Sequence, residues 1–194
     1  MTEAPAGKGD AAGARAALSA AHPLSPPIEE AFAGRDVWIF DLDNTLYPAH
    51  TNLFAQVDVR IRDFVAELLG IGHEDAQRLQ KDYYRDYGTT LRGLMTEHGI
   101  SPDAFLEYVH DIDHSPVGED ARLGRAIARL PGRRFIMTNG TRYHAERVAD
   151  RLGVHDHFED IFDIVAADLM PKPHAEVYER FYARHGIDPK RAVF

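Results

Sequence analysis

The sequence contains no cysteine among its 194 residues. Disulfide bonds, zinc–thiolate sites and thiol nucleophiles are therefore excluded. It also lacks any apolar run approaching the roughly 18 residues that a membrane-spanning helix needs, and its first residues contain no apolar segment typical of a signal peptide. From these absences we expect a cytoplasmic protein with no membrane partner.

Positive charge is scarce. The sequence has 22 Lys and Arg against 31 Asp and Glu, which gives a formal net charge of −9. Binding to nucleic acids or membrane surfaces depends on clustered Lys and Arg, so we expect no nucleic-acid partner and a small-molecule ligand instead. The acidic balance is compatible with a site for a divalent cation. No feature of the sequence specifies an oligomeric state.

Hydrophobic patterning divides the chain into three parts. Residues 1–27 are dominated by Ala, Gly, Pro and Ser and are predicted to form a disordered tail. Between residues 50 and 116, helical periodicity recurs without a strand pattern, which predicts an all-helical subdomain. Residues 28–49 and 117–194 alternate short strands with single helices. We therefore predict an α/β fold, a doubly wound, Rossmann-like parallel sheet with a helical subdomain inserted after the first strand.

Two acids follow the first predicted strand, the bulky apolar run from Val37 to Phe40. Asp41 and Asp43 are two positions apart, and residues with that spacing on an extended segment point to the same side. One carboxylate could stay ionised as a nucleophile or metal ligand, while the other, with its pKa raised by burial and by its neighbour, would transfer a proton. The alternative is a solvated Asp-x-Asp turn or a capping pair.

Two further polar segments follow the next predicted strands. Thr138, Asn139 and Gly140 lie between a strand and a helix, where a hydroxyl and backbone N–H groups favour an anion. The alternative is that Thr138 or Thr141 only caps the helix. Lys172 stands between two prolines, which predicts a stiff, extended segment that holds its charge in place. An ordinary surface lysine is the alternative there.

The three segments together carry more information than each alone, because the carboxyl ends of parallel strands meet at one edge of a sheet. They would bring together a nucleophilic acid, a proton-transfer acid, a phosphate-binding hydroxyl and a fixed cation. That inventory fits phosphoryl transfer.

With these motifs, the sequence resembles the haloacid dehalogenase superfamily over nearly the whole stretch from Asp36 to Phe194. Asp41-Leu42-Asp43-Asn44-Thr45 is similar to the family's first motif, Thr138-Asn139-Gly140 to its second and Lys172 to its third. The helical insertion is similar to the family's helical cap. The acid at position 43 favours a phosphatase, because members that cleave carbon–halogen bonds lack it. The first motif, extended to Leu46-Tyr47-Pro48 and followed by such a cap, most resembles the pyrimidine 5′-nucleotidase-like branch.

The resemblance implies a Mg²⁺-dependent phosphomonoesterase that acts on a small phosphorylated metabolite, with a pyrimidine nucleoside 5′-monophosphate as the most specific expectation. Asp41 would attack phosphorus to form an aspartyl-phosphate. Asp43 would protonate the leaving alkoxide and then activate water. Mg²⁺ would be bound by the Asp41 carboxylate and the Asp43 backbone carbonyl.

The same resemblance assigns the remaining site residues. Thr138 and the amides of Asn139 and Gly140 would hold the phosphoryl oxygens, and Lys172 would offset charge between the nucleophile and the phosphate. The family's fourth motif, an acidic pair that completes the Mg²⁺ shell, is expected just beyond a strand such as Ala192-Val193-Phe194. Its absence from the sequence implies a truncated chain. Two alternatives therefore stay open: a catalytically incomplete phosphate-binding or interaction module, and a phosphotransferase or mutase of the same superfamily.

Overall fold

The computed structural model describes residues 32–194, so the predicted tail at residues 1–27 lies outside the described part. A folded unit extends from Arg35 to Phe194. Its strands and helices, in chain order, are β1 (Val37–Phe40), α1 (Leu53–Leu69), α2 (His73–Tyr87), α3 (Thr90–His98), α4 (Pro102–His110), α5 (Ala121–Ala128), β2 (Arg133–Met137), α6 (Arg142–Leu152), β3 (Asp160–Phe162), α7 (Ala175–His185) and β4 (Ala192–Val193).

The described strands form one four-stranded parallel sheet in the order β3-β2-β1-β4. The register aligns Val37 of β1 with Arg133 of β2 on one side and with Ala192 of β4 on the other. The first strand therefore lies inside the sheet, and the residues that follow it emerge between two neighbours. This confirms the predicted α/β fold with a Rossmann-like parallel sheet.

Both faces of the sheet are buried, which explains the unbroken apolar run of β1. Val37 and Ile39 belong to one core cluster with Phe181 of α7. On the opposite face, Phe40 packs against a second cluster that contains Val148 of α6. Successive side chains of a strand point to opposite faces, so a strand covered by helices on both sides needs apolar residues at every position.

Helices α1–α4, residues 53–110, form the helical insertion. Their apolar faces enclose a third cluster that includes Val65, Leu94 and Phe105. Ile164, from the turns that follow β3, belongs to the same cluster, so the insertion packs directly against the end of the sheet. The exact boundary between core and cap, predicted at residues 50 and 116, stays a prediction.

The third strand is shorter than the sequence predicts. The sequence predicts a strand from residue 161 to residue 165, whereas β3 ends at Phe162. The reason is Asp163, whose carboxylate accepts hydrogen bonds from the backbone N–H groups of Arg142 and Ala166, both at 2.9 Å. These bonds stop the strand and turn the chain toward Lys172.

Among the helices within residues 32–194, none is both long and apolar enough to cross a membrane.

The close approach of Gly132 to the backbone of Asp36 provides a test of the packing beside β1 and β2. Gly132 has a φ of +79°, and a Cβ atom there would collide with the backbone carbonyl oxygen of Asp36, which accepts a hydrogen bond from Arg133 N at 2.8 Å. We expect Gly132→Ala to lower the free energy of unfolding by about 3 kcal/mol or more, measured by urea denaturation.

Gly186→Ala is the matched control, because Gly186 has a φ of +61° and nothing within 4 Å of an added Cβ. It carries only the cost of the left-handed backbone, about 1 kcal/mol. Equal losses for the two variants would show that the contact with Asp36 is not a constraint.

Candidate active site

Asp41 is the first residue after β1, and its carboxylate is bound on both oxygens. Lys172 Nζ donates to Asp41 Oδ1 at 2.6 Å, and Thr45 Oγ1 donates to Asp41 Oδ2 at 3.3 Å. The Asp41 side chain is 38% exposed, whereas that of Lys172 is only 12% exposed. The acid is therefore accessible from a cavity while its counter-charge is buried behind it.

Lys172 is positioned by the carboxyl end of β2. Its ammonium group donates a second hydrogen bond to the carbonyl oxygen of Met137 at 2.6 Å. The side chain of Asn139 holds the Lys172 backbone, accepting from its N–H at 2.8 Å and donating to its carbonyl at 3.3 Å. This clamp is a role of Asn139 that the sequence analysis missed, because it joins residues 33 positions apart.

Thr138 and Thr141 have different roles. Thr138 is buried, and its Oγ1 accepts a hydrogen bond from Gly140 N–H at 2.9 Å. Thr141 is the N-cap of α6, where its hydroxyl accepts from His144 N–H at 3.3 Å. The helix-capping alternative therefore applies to Thr141 and not to Thr138. The Gly140 amide is already occupied in this arrangement, so a phosphoryl oxygen would compete with Thr138 for it.

Asp43 lies beside Asp41 but in a different environment. Its Oδ1 accepts hydrogen bonds from the Tyr47 hydroxyl at 2.7 Å and from His144 Nε2 at 2.9 Å. Burial opposes ionisation of the carboxyl, but the hydrogen bond and charge of His144 and the bond from Tyr47 outweigh it, so the pKa of Asp43 lies below its ordinary value. The expectation that the second acid has a raised pKa is wrong.

Burial and the adjacent Asp43 raise the pKa of Tyr47, so its hydroxyl stays protonated and remains a donor. Three histidines surround the Asp43 contact: His144 in the first turn of α6, His110 at the end of α4 and His114 just beyond it. Burial lowers the pKa of His110 to about 4, so its ring is neutral. The sequence analysis missed these histidines, and the one available signal was the place of His144 next to the second motif.

A cavity of about 330 Å³ opens over these groups. Its polar end is formed by Asp41, Asp43, Thr138 and Lys172. The helical insertion supplies the other walls, which are largely apolar and include Phe54, Val57, Leu91, Phe105 and Val109. Among the lining residues that the structure describes, Lys172 is the one lysine or arginine. Asp41, Asp43, Thr138, Asn139, Gly140 and Lys172, all predicted from the sequence, thus line one cavity.

The residues present offer part of a cation site. Within residues 32–194, no group of three or more His, Cys, Asp or Glu side chains could hold a metal ion. Within residues 32–194, no backbone N–H group outside the helices and strands donates to the backbone carbonyl of Asp43. This oxygen is therefore available to a cation, together with the Asp41 carboxylate. Mg²⁺ is typically bound by one or two carboxylates together with water and substrate phosphate, so this all-oxygen set fits it.

The family model for haloacid dehalogenase-like hydrolases matches residues 36–194, which include all of these groups. The chain belongs to this family. The match covers most of the chain. The pyrimidine 5′-nucleotidase-like branch stays a prediction.

This haloacid dehalogenase-like hydrolase is 30% identical over 179 residues to Phosphate metabolism protein 8 of Saccharomyces cerevisiae, a match that covers 84% of the chain and 55% of the yeast protein. The chain therefore spans about half the length of this curated relative.

Two solved structures are similar in fold. The HAD-hydrolase YfnB from Bacillus subtilis, described as bound to magnesium, has a TM-score of 0.49 at 16% identity, covering 81% of this chain and 76% of that one. A HAD phosphatase from Thermococcus onnurineus has a TM-score of 0.49 at 17% identity, covering 81% and 74%.

The contact between Tyr47 and Asp43 predicts a pH-dependent loss of stability in Tyr47→Phe. A carboxyl whose pKa is depressed in the folded state stabilises the fold above its unfolded pKa, and this contribution is lost as the pH falls through the folded pKa. Removing one donor raises the folded pKa of Asp43. We therefore expect Tyr47→Phe to lower the free energy of unfolding by about 1 to 2 kcal/mol near neutral pH and by less near pH ~3, measured by urea denaturation.

Tyr182→Phe is the control, because burial also raises the pKa of Tyr182 but its hydroxyl makes no hydrogen bond to another described residue. Its effect should be the same at both pH values. A Tyr47→Phe effect that is equally independent of pH would contradict the assignment of the Tyr47 hydroxyl as a donor to ionised Asp43.

Proposed function

We propose that this chain is a phosphomonoesterase in which Asp41 is the nucleophile and an aspartyl-phosphate is the intermediate. The observation that carries the proposal is the contact of Lys172 Nζ with Asp41 Oδ1 at 2.6 Å, with Asp43 facing the same cavity. The buried ammonium group beside Asp41 offsets charge when an anionic phosphoryl group approaches. Membership of a hydrolase family supports the same reaction class.

In the first step, a carboxylate oxygen of Asp41 forms a bond to phosphorus as the bond from phosphorus to the leaving oxygen breaks. Asp43 gives its proton to the leaving oxygen. The pKa of Asp43 lies below its ordinary value, and the negative charge of an arriving phosphoryl group would favour the protonated form that donates this proton. The hydroxyl of Thr138 and the backbone amide of Asn139 hold the phosphoryl oxygens, and the backbone amide of Gly140 joins them by exchanging its bond to Thr138 for one to the phosphoryl group.

In the second step, Asp43 takes a proton from a water molecule whose oxygen attacks phosphorus. The bond between phosphorus and Asp41 breaks, and inorganic phosphate leaves with the free carboxylate restored. Lys172 remains within hydrogen-bond distance of Asp41 throughout. The two carboxylates thus keep separate roles in both steps, because they have different partners. Asp41 is bound to a lysine, whereas Asp43 is bound to a tyrosine hydroxyl and an imidazole.

Mg²⁺ is the proposed cofactor, held by the Asp41 carboxylate and the Asp43 backbone carbonyl. When bound, it would neutralise negative charge on the phosphoryl group. The need for it follows from the local charge balance, since two carboxylates and a phosphate face a single lysine in the cavity.

The proposed substrate is a phosphomonoester whose organic part carries no further charged group. Lys172 is needed by the reacting phosphate, and no second lysine or arginine of the described chain lines the cavity to hold another anionic group. The walls from α1, α3 and α4 are apolar, with Tyr84 and Thr89 among the few polar groups. A pyrimidine nucleoside 5′-monophosphate is the most specific candidate. The name of the yeast relative, which refers to phosphate metabolism, supports the class.

Asp41→Asn tests the nucleophile. We expect it to abolish release of inorganic phosphate, a loss of at least about 10³-fold, because an amide cannot form the acyl-phosphate. The control is Asp168→Asn, since Asp168 is exposed and contacts Arg180 at 3.4 Å, outside the residues that line the cavity. Phosphate release is measured colorimetrically with and without Mg²⁺, and circular dichroism checks the fold. Retained activity in folded Asp41→Asn would disprove the mechanism.

A substrate panel tests the leaving group. Pyrimidine and purine 5′-monophosphates, sugar phosphates and an aryl phosphate are compared with nucleoside diphosphates and bisphosphates. We expect the extra phosphate to lower kcat/KM by about tenfold or more, because its charge would be buried unpaired. Preference for doubly phosphorylated compounds would contradict the proposal. A folded chain that binds phosphate without releasing it would support the non-catalytic module, and release that requires an added acceptor would support a phosphotransferase.

A further inference from the structure

The orientation of the Asp43 carboxyl is set by two donors on the same oxygen. The Tyr47 hydroxyl and His144 Nε2 both contact Oδ1, at 2.7 and 2.9 Å. Oδ2 has no hydrogen-bond partner within residues 32–194, although Asp43 lines the cavity. The carboxyl therefore has one oxygen held by the protein and one available to a ligand.

His144 is itself held on its second ring nitrogen. Its Nδ1 lies 3.0 Å from Nε2 of His114, a residue on the segment that returns from α4 of the insertion to α5. The His144 side chain is 1% exposed, so neither nitrogen can exchange its partner for bulk water. The chain of contacts runs from the insertion's return segment through two imidazoles to the proposed proton-transfer acid.

The backbone around His144 limits its movement. Its N–H donates to the capping hydroxyl of Thr141, and its ring lies 5.1 Å from the ring of His110, centroid to centroid. A Cβ on Gly140 would come within 3.3 Å of His144 Cδ2 and within 3.4 Å of His110 Nε2, so the glycine leaves just enough room for these rings. The site is thus packed around the imidazole of His144.

We propose that His144 is a positioning residue for Asp43: its Nε2–H holds Oδ1, with His114 fixing the ring, so that Oδ2 faces the leaving oxygen. The inference rests on the proposed phosphatase function. It adds His144 to the residues of that site and connects the insertion to Asp43 through the contact with His114. Displacing a catalytic carboxyl by about 1 Å lowers the rate of the reaction on the order of 10²-fold, and positioning by His144 prevents this loss.

A purely structural histidine would behave differently, and the chain contains one. His185 of α7 is also largely buried and lies 3.6 Å from an aspartate, Asp160, but it packs on Phe135 and Phe181 on the opposite face of the sheet. Its Nε2 is buried without a hydrogen bond. Substituting His185 tests what the loss of a packed imidazole does by itself.

The test uses two aryl phosphates that differ in the need for a proton. The phenolate leaving from phenyl phosphate requires protonation, whereas the nitrophenolate leaving from para-nitrophenyl phosphate does not. We expect His144→Ala to lower kcat/KM for phenyl phosphate by about 10²-fold, and for para-nitrophenyl phosphate only a few-fold. His144→Gln keeps a donor and should restore most of the loss. His114→Ala should show the same selectivity with a smaller effect.

His185→Gln should leave the ratio of the two kcat/KM values unchanged. Equal losses of His144→Ala on both substrates, or a His144→Gln variant as impaired as His144→Ala, would overturn the proposal. Nitrogen NMR of the imidazole rings in the wild-type chain gives a readout that does not depend on activity. If the chain releases no phosphate, the proposed function fails. A hydrogen found by NMR on Nε2 of His144 still supports the positioning contact in that case, whereas an unprotonated Nε2 overturns it.

Discussion

The ion pair between Lys172 and Asp41 is the interaction on which the site depends. One ammonium group, 2.6 Å from both Asp41 Oδ1 and the Met137 carbonyl, ties the loop after β3 to the ends of β1 and β2. Three segments far apart in the chain therefore meet at one point. Because the lysine is buried and the acid is partly exposed, Asp41 contacts its counter-charge on one side and stays open to the cavity on the other.

The second acid shows how neighbours separate two carboxylates of the same first motif. Asp41 is bound to a lysine, while Asp43 is bound to a tyrosine hydroxyl and an imidazole on one oxygen. Burial opposes ionisation of Asp43, but the hydrogen bonds and charge on that one oxygen outweigh it, so the pKa of Asp43 lies below its ordinary value. In the proposed mechanism, an arriving phosphoryl group would favour the protonated form of Asp43, so proton transfer would be coupled to phosphate binding.

The helical insertion contributes the shape of the cavity and a physical link to its chemistry. Its helices supply the apolar walls, and Ile164 carries their cluster onto the end of the sheet. His110 and His114, at the end of α4 and on the return segment, bring imidazoles to the same place from the opposite side. The insertion thus lines the cavity, and its return segment contacts the imidazole that is bonded to Asp43.

The sequence alone determined the helices, the order of strands and helices along the chain, and which residues meet at the carboxyl ends of the strands, namely Asp41, Asp43, Thr138 and Lys172. These follow from local periodicity and from the rule that the carboxyl ends of parallel strands share one edge. The tertiary structure decided the pKa of Asp43, the clamp of Asn139 on Lys172, the stop of β3 at Asp163 and the contact of His144 with Asp43. The last of these joins residues 101 positions apart, and no local pattern encodes such a contact because it exists only once the sheet and α6 have packed.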